Sequence, residues 1–462
     1  MSLWGDLRGN PPNPVMVSLI HSPYVGRFFS SLHLTMAHSP IHDAVIPPSL
    51  FLEGNSPESR SSKDVDMSSP KSFLSDYSVG SPHGFASPLK TRREAFLLMN
   101  YLQELAPRID LCDPSKRFGR EVPKRARQLP LLAYSILAFS SRHQVLITGI
   151  DDESSEEYHS YALRILIPIL DDPMSSLDEN LLAAAVLLRL YEEMCDVDTG
   201  THLAGSARLW NDIPDFIAQG GLSEAASWIM LRQNLHISLI KHEPMQVDLN
   251  KYRRSRSFIN TTDEDFANRV ILLCCQVLAT SFDPGAQPDY ATWAQLGEEV
   301  ARWHDSIPAH YHPYYSDVKT TSTGVKSAFP TVWMMNPAQV MGYQHYCLAR
   351  ILLHISEPRL RVSSLGTIEN RVAADKAALN DLRIAIGLGI HNPSVVGAGF
   401  TVHHILFTCG CLLTDPTEQQ EVLNFIDEFG KSIGWPTHRL RKKLNAIWRP
   451  RYLLTEKIII DN

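Results

Sequence analysis

The string TVHHILFTCGC places His403, His404, Cys409 and Cys411 within nine residues. Imidazole and thiolate are the ligands that zinc prefers. On a helix, though, positions 403, 404 and 411 share a side only approximately, and 409 points elsewhere. No Cys-x2-Cys pair accompanies them, so the expectation is core packing and no metal site. A second cluster, WHDSIPAHYHPYY, offers His304, His310 and His312. Its prolines and aromatics suit an ordered, extended connector laid over a core. Charged residues inside apolar stretches are the next candidates: Arg189 with Glu192 and Glu193, and Arg232 in WIMLRQNLHISLI. A buried charge needs a partner, which makes structural ion pairs the expectation and a small-ligand pocket between helices the alternative. The chain has no Gly-x-Ser-x-Gly elbow, no HExxH and no phosphate-cradling glycine loop. No catalytic residue and no cofactor is therefore expected.

Two basic runs could read nucleic acid or an import receptor. KYRRSRSFIN carries Arg253, Arg254 and Arg256, and GWPTHRLRKKLNAIW carries Arg439, Arg441, Lys442 and Lys443. In the second run Leu440, Leu444, Ile447 and Trp448 fall at i, i+4, i+7 and i+8, a continuous apolar stripe, and the cations cover the other faces. That is the pattern of a core helix with a solvated basic side. The same cations are the candidate nuclear-localisation residues. Across the chain 43 Lys+Arg stand against 50 Asp+Glu, a net charge of −7. Any contact with phosphate is accordingly local.

The elements that must position these residues are helices. TRREAFLLMNYLQELAP has apolar residues at 96, 97, 98, 101, 102 and 105, with Pro107 expected to stop it. SSLDENLLAAAVLLRLYEEM opens with Ser176 as a plausible cap and Glu179 three residues on. Leu181–Leu188 is apolar on every side, the mark of a helix in the centre of a bundle. Further periods read as helices at 131–146, 156–170, 204–218, 222–242, 264–282, 288–304, 334–355, 370–390, 398–413, 417–431 and 437–448. Asp415-Pro416 reads as a cap and first turn, Gly434 as a C-terminal glycine and Thr437 as the next cap. Strand alternation is almost absent. The fold class is all-α, a large multi-helix domain without the fixed period of a solenoid.

Composition sets the surroundings. The seven cysteines are odd in number and lack framework spacing, which suits a reducing compartment. Prolines at 11, 12, 14 and 23 interrupt any signal-like run, and no run approaches 18 uninterrupted apolar residues; no membrane association is expected. Residues 1–53 show no sustained period and are left unassigned. Residues 54–91 are dense in Ser, Pro, Gly and Asp and read as a disordered linker. Its four Ser-Pro pairs, at 56, 69, 81 and 87, could accept proline-directed phosphorylation. Residues 92–462 form the helical region.

Several segments of that region, in order and at suitable spacing, resemble the regulatory domain of fungal transcription factors of the binuclear zinc-cluster class. They include EAFLLMNYLQELAPRIDLCDPSKRFGREVPKRARQLPLLAYSILAFSSRH (94–143), LRILIPILDDPMSSLDENLLAAAVLLRLYEEM (163–194), THLAGSARLW (201–210), GGLSEAASWIMLRQNLHISLIKHEPM (220–245) and NPSVVGAGFTVHHILFTCG (392–410). The likeness runs from residue 92 to about 450. It implies a nuclear fungal regulator without catalytic residues, and many such relatives govern secondary-metabolite gene clusters. The family reads DNA through an N-terminal block of six cysteines that binds two zinc ions, whereas the first cysteine here is Cys112. DNA would then be reached through a DNA-binding transcription factor, through a homodimer or through a module encoded upstream, and a small-molecule effector fits the helical region. A zinc-less interaction or ligand-sensing protein that modulates a full-length paralogue is the alternative. A pathway enzyme on a helical scaffold is the remote one.

Overall fold

The computed structural model describes residues 88–150, 153–172, 177–195, 216–245, 247–282, 289–317, 327–361 and 365–449. Residues 1–87, with all four Ser-Pro serines, the expected cap Ser176 and residues 204–215 of the helix expected over 204–218 lie outside them. Twelve helices of nine or more residues occur among the described residues. They are α1 (Arg92–Asn100), α2 (Pro130–Thr148), α3 (Ser154–Asp171), α4 (Glu179–Glu193), α5 (Gly221–Lys241), α6 (Asp263–Phe282), α7 (Tyr290–Ser306), α8 (Pro337–Ile355), α9 (Leu365–His391), α10 (Val396–Cys409), α11 (Pro416–Ile433) and α12 (His438–Trp448). The fold class is all-α, as expected.

α2 packs between α3 and α4, α4 packs on α5, and α6, α8 and α9 pack in succession. α10 joins the two groups through contacts with α5, α8, α9 and α12. α4 sits as its composition requires: Leu181, Leu182, Ala183, Ala184, Val186, Leu187 and Leu188 are all buried. By length and composition α6 could cross a bilayer, yet it is a core helix here, packed against α5, α7 and α8.

Several local expectations are corrected. Pro107 does not end the first helix. A π-helical turn, Tyr101–Leu105, is followed by a further turn, Ala106–Ile109, in which Pro107 occupies an early position, where its missing N–H costs nothing. α4 is capped by Asp178, whose carboxylate accepts from the backbone N–H of Asn180 at 2.9 Å and Leu181 at 3.0 Å. A carboxylate next to the helix start competes well for that role because the dipole favours its charge. Residues 315–317 and 331–333 pair as a short antiparallel ribbon, Tyr315 opposite Trp333, where strands of three residues were too short to leave a sequence period. The ribbon crosses α9 at Gly387, where an added Cβ would lie 2.1 Å from the Pro330 carbonyl oxygen.

The end of the chain follows its punctuation. Asp415 accepts from the Thr417 N–H at 2.7 Å, and Gly434 takes φ +67° as the C-terminal residue of α11, a conformation open to glycine at no steric cost. Thr437 holds the position before α12 but makes no side-chain cap bond. Leu440 and Leu444 are fully buried.

Candidate functional site

The feature that gathers chemistry is a pair of adjoining cavities enclosed by α4, α5, α10 and the turn after α11. One has a volume of about 220 Å³ and the other about 90 Å³, and His236, His404, Glu193 and Trp435 line both. Helical spacing brings these residues together. Arg189 and Glu193 stand one turn apart on α4, as do Arg232 and His236 on α5, while His403, His404 and Phe407 come from α10. Trp435 is delivered by the left-handed turn at Gly434, with its backbone N–H returning to the Gly430 carbonyl at 3.2 Å. Its indole packs edge-on against Phe400, centroids 4.6 Å apart.

The imidazoles form a stack. His236 lies parallel to His404 with ring centroids 4.1 Å apart, and His345 from α8 lies 6.3 Å behind His236. His404 Nδ1 is 2.6 Å from the Phe400 carbonyl, and His345 Nδ1 is 2.7 Å from that of Met341. A carbonyl oxygen only accepts, so each Nδ1 carries the proton, and His345 Nε2 is left as an acceptor. Burial pushes the pKa of His236 and His403 well below the ordinary histidine value, with neighbouring imidazoles adding to the effect. Burial lowers that of His345 to about 4. All three rings are neutral at pH 7.

The buried charges divide. Arg189 is 5% exposed and pairs with Glu192 at 3.3 Å and Glu193 at 3.4 Å, the ion pair expected of it. For Arg232 the expectation of an ion pair fails among the described residues. Its Nη2 donates to the Ile109 carbonyl at 3.5 Å, and its buried Nη1 finds no partner there. The same holds for His236 Nε2, His345 Nε2, both nitrogens of His403 and Trp435 Nε1.

The other expected residues are placed as follows. Cys409 is buried and Cys411 exposed, and among the described residues no group of three or more His, Cys, Asp or Glu side chains is arranged to hold a metal ion. The connector at 303–315 begins as the end of α7. His304 stacks on Tyr346 at 4.9 Å, His312 meets His304 edge-on at 5.3 Å, and His310 lies 3.0 Å from Asp263. The first basic run forms two 3₁₀ turns rather than a loop, Leu249–Arg254 and Arg256–Phe258, anchored by buried Tyr252, Ser255 and Ser257. Arg253, Arg254 and Arg256 are exposed, with Arg253 3.7 Å from Glu299. On α12, Arg439 and Lys442 are exposed, Arg441 pairs with Asp427, and Lys443 lies 5.3 Å over the Phe407 ring.

Comparison with known proteins bears on the same region. Residues 96–231 match the family model described as the fungal specific transcription factor domain. A relative, Transcription activator AMTR1 of Alternaria alternata, is 23% identical over 172 residues, which cover 35% of this chain and 22% of the relative. The chain therefore spans less than a quarter of the length of the curated relative it matches. No solved structure matches the chain.

The match ends at Leu231, one residue before Arg232, so it takes in Arg189 and Glu193 but not the imidazoles or Trp435. Sequence reasoning met Arg232 and the His403–His404 pair separately and passed over His236, His345 and Trp435. One signal was available: LRQNLH puts Arg232 and His236 at i and i+4 on one helix, so both polar groups face one place.

Proposed function

We propose that this chain is a nuclear transcriptional regulator that controls a fungal secondary-metabolite gene cluster through its helical region. The observation that carries the reading is the match of residues 96–231 to the fungal specific transcription factor domain, and the partial likeness to a protein named as a transcription activator agrees with it. The sequence holds no Cys-x2-Cys pair. DNA contact is therefore assigned to a partner, either a DNA-binding transcription factor or a second copy in a homodimer, or to a module outside this sequence. The exposed cations Arg253, Arg254, Arg256, Arg439 and Lys442 are the proposed import surface, with Arg441 and Lys443 contributing less because they are already engaged by Asp427 of α11 and Phe407 of α10.

Deletion of the gene, followed by transcript and metabolite profiling of the same cultures, tests the reading. A regulator changes the transcripts of a contiguous set of genes together with their product. Loss of product with unchanged transcripts would instead identify a pathway enzyme. A second reading, a ligand-sensing protein that modulates a full-length paralogue through mixed dimers, is favoured by the cavity among α4, α5 and α10. Affinity purification that recovers no DNA-binding transcription factor counts against it.

A further inference from the structure

We propose that the cavities between α4, α5, α10 and the Gly434 turn are a binding site for a small aromatic monocarboxylate, its carboxylate on Arg232 and its ring between the indole and imidazole faces. As an effector site it rests on the regulator reading above; as a binding site it stands on the geometry alone.

Three observations converge. The first is polarity without partners: Arg232 Nη1, Trp435 Nε1 and both nitrogens of His403 are buried and unpaired among the described residues. Buried polar groups in folded proteins are almost always hydrogen-bonded, and an exception calls for a partner the chain does not itself supply. Here several exceptions surround one space. Arg232 and Trp435 can only donate, which selects a ligand oxygen that accepts.

The second is charge. Arg232 and Arg108 line the smaller cavity, and Arg189, Lys241 and Arg439 line the larger, against the single carboxylate of Glu193. Glu193 is already paired with Arg189. Arg189 is met by Glu192 as well, and Arg108 by Glu104, whereas Arg232 has no carboxylate partner among the described residues; a guanidinium matches a carboxylate in bidentate geometry.

The third is shape. The walls beyond the polar atoms are apolar or aromatic, with Phe400, Phe407, Ile229, Met341 and Leu105 among them. A dry apolar cavity of about 150 Å³ is enough to admit benzene, so a space of about 220 Å³ with a smaller annex of about 90 Å³ suits one or two rings carrying a short acid. Flat faces at Trp435 and the His236–His404 stack favour a ring over a chain.

The test uses the purified full-length chain and calorimetric titration with phenylacetate and indole-3-acetate, each against its neutral amide. The expected result is saturable one-to-one binding of at least one acid with a dissociation constant of about 1 mM or below. The matching amide should bind about tenfold more weakly or worse, since a charge-assisted bond is lost. Arg232→Met should weaken the acid about tenfold or more. Trp435→Phe keeps the ring and removes only the N–H, so it should weaken the acid severalfold with the circular dichroism spectrum unchanged. Failure of both acids to bind at about ten times that concentration overturns the proposal, as does equal binding of acid and amide, or a Trp435→Phe protein that binds as well as the parent. Because no transcription is involved, a negative result here leaves the regulator reading standing. A positive result survives even if that reading fails.

Discussion

Replacing His403 by leucine should make the protein more stable. The side chain is 7% exposed, and neither ring nitrogen finds a partner among the described residues. Each buried polar atom left unpaired costs about 1–3 kcal/mol. Leucine has a similar volume and no polar atoms, so it removes that cost without opening a large void. It also gives up edge-to-face contacts with Phe407 at 5.2 Å and His404 at 5.3 Å, each worth about 0.5–1.5 kcal/mol. The balance is a gain of about 1–2 kcal/mol at pH 7.5. It should widen in acid. Burial and His404 hold the His403 pKa below its unfolded value, so as pH falls below about 6.5 the unfolded chain takes up a proton that the folded chain refuses. Stability is lost on that side at about 1.4 kcal/mol per pH unit per group, and the leucine variant escapes this loss at one position. Equilibrium urea unfolding of full-length wild type and His403→Leu, followed by fluorescence and circular dichroism at pH 7.5 and pH 5.5, measures both effects. A leucine variant less stable by 1 kcal/mol or more, with unchanged m, would refute the reasoning and show that the imidazole nitrogens are satisfied.

Acid sensitivity should be general to the buried imidazoles. His345 and His143 each have a pKa lowered to about 4, so their contributions are intact above about pH 6.5 and erode from there down to about pH 4, readable as a falling urea midpoint. Gly387→Ala should destabilise by more than about 1–3 kcal/mol, because the new methyl meets the Pro330 backbone carbonyl 2.1 Å away and backbone cannot rotate aside; a thermal scan checks it. On α12, Leu444→Ala should cost about 2–5 kcal/mol and Lys442→Ala less than about 0.5 kcal/mol. Equal losses would contradict the assignment of a buried stripe and a solvated basic face.

What the sequence revealed and concealed follows from the range of the forces involved. α4, the Asp415 cap and the Gly434 stop were legible because a continuous apolar run, a capping side chain and a left-handed glycine act within a few residues. The continuation past Pro107 was not, because a π-turn upstream absorbs the missing N–H and nothing in the local pattern announces it. The three-residue strands were hidden for want of length to show a period. The cavity was hidden for another reason: periodicity tells which face of a helix is apolar but not which faces meet. Arg232, His403 and Trp435 are 203 positions apart at the extremes, and only the packing of α5 on α10 and the turn after α11 makes them neighbours.

The central claim is that this chain regulates transcription through its helical region. The most direct measurement joins the full-length chain to a heterologous DNA-binding domain and reads a reporter bearing that domain's sites, with fusion abundance and nuclear presence monitored in the same cells. The account predicts a reproducible change in reporter output, up or down, that depends on the fused chain. Output indistinguishable from the DNA-binding domain alone, with the fusion present in nuclei at matched levels, would contradict it.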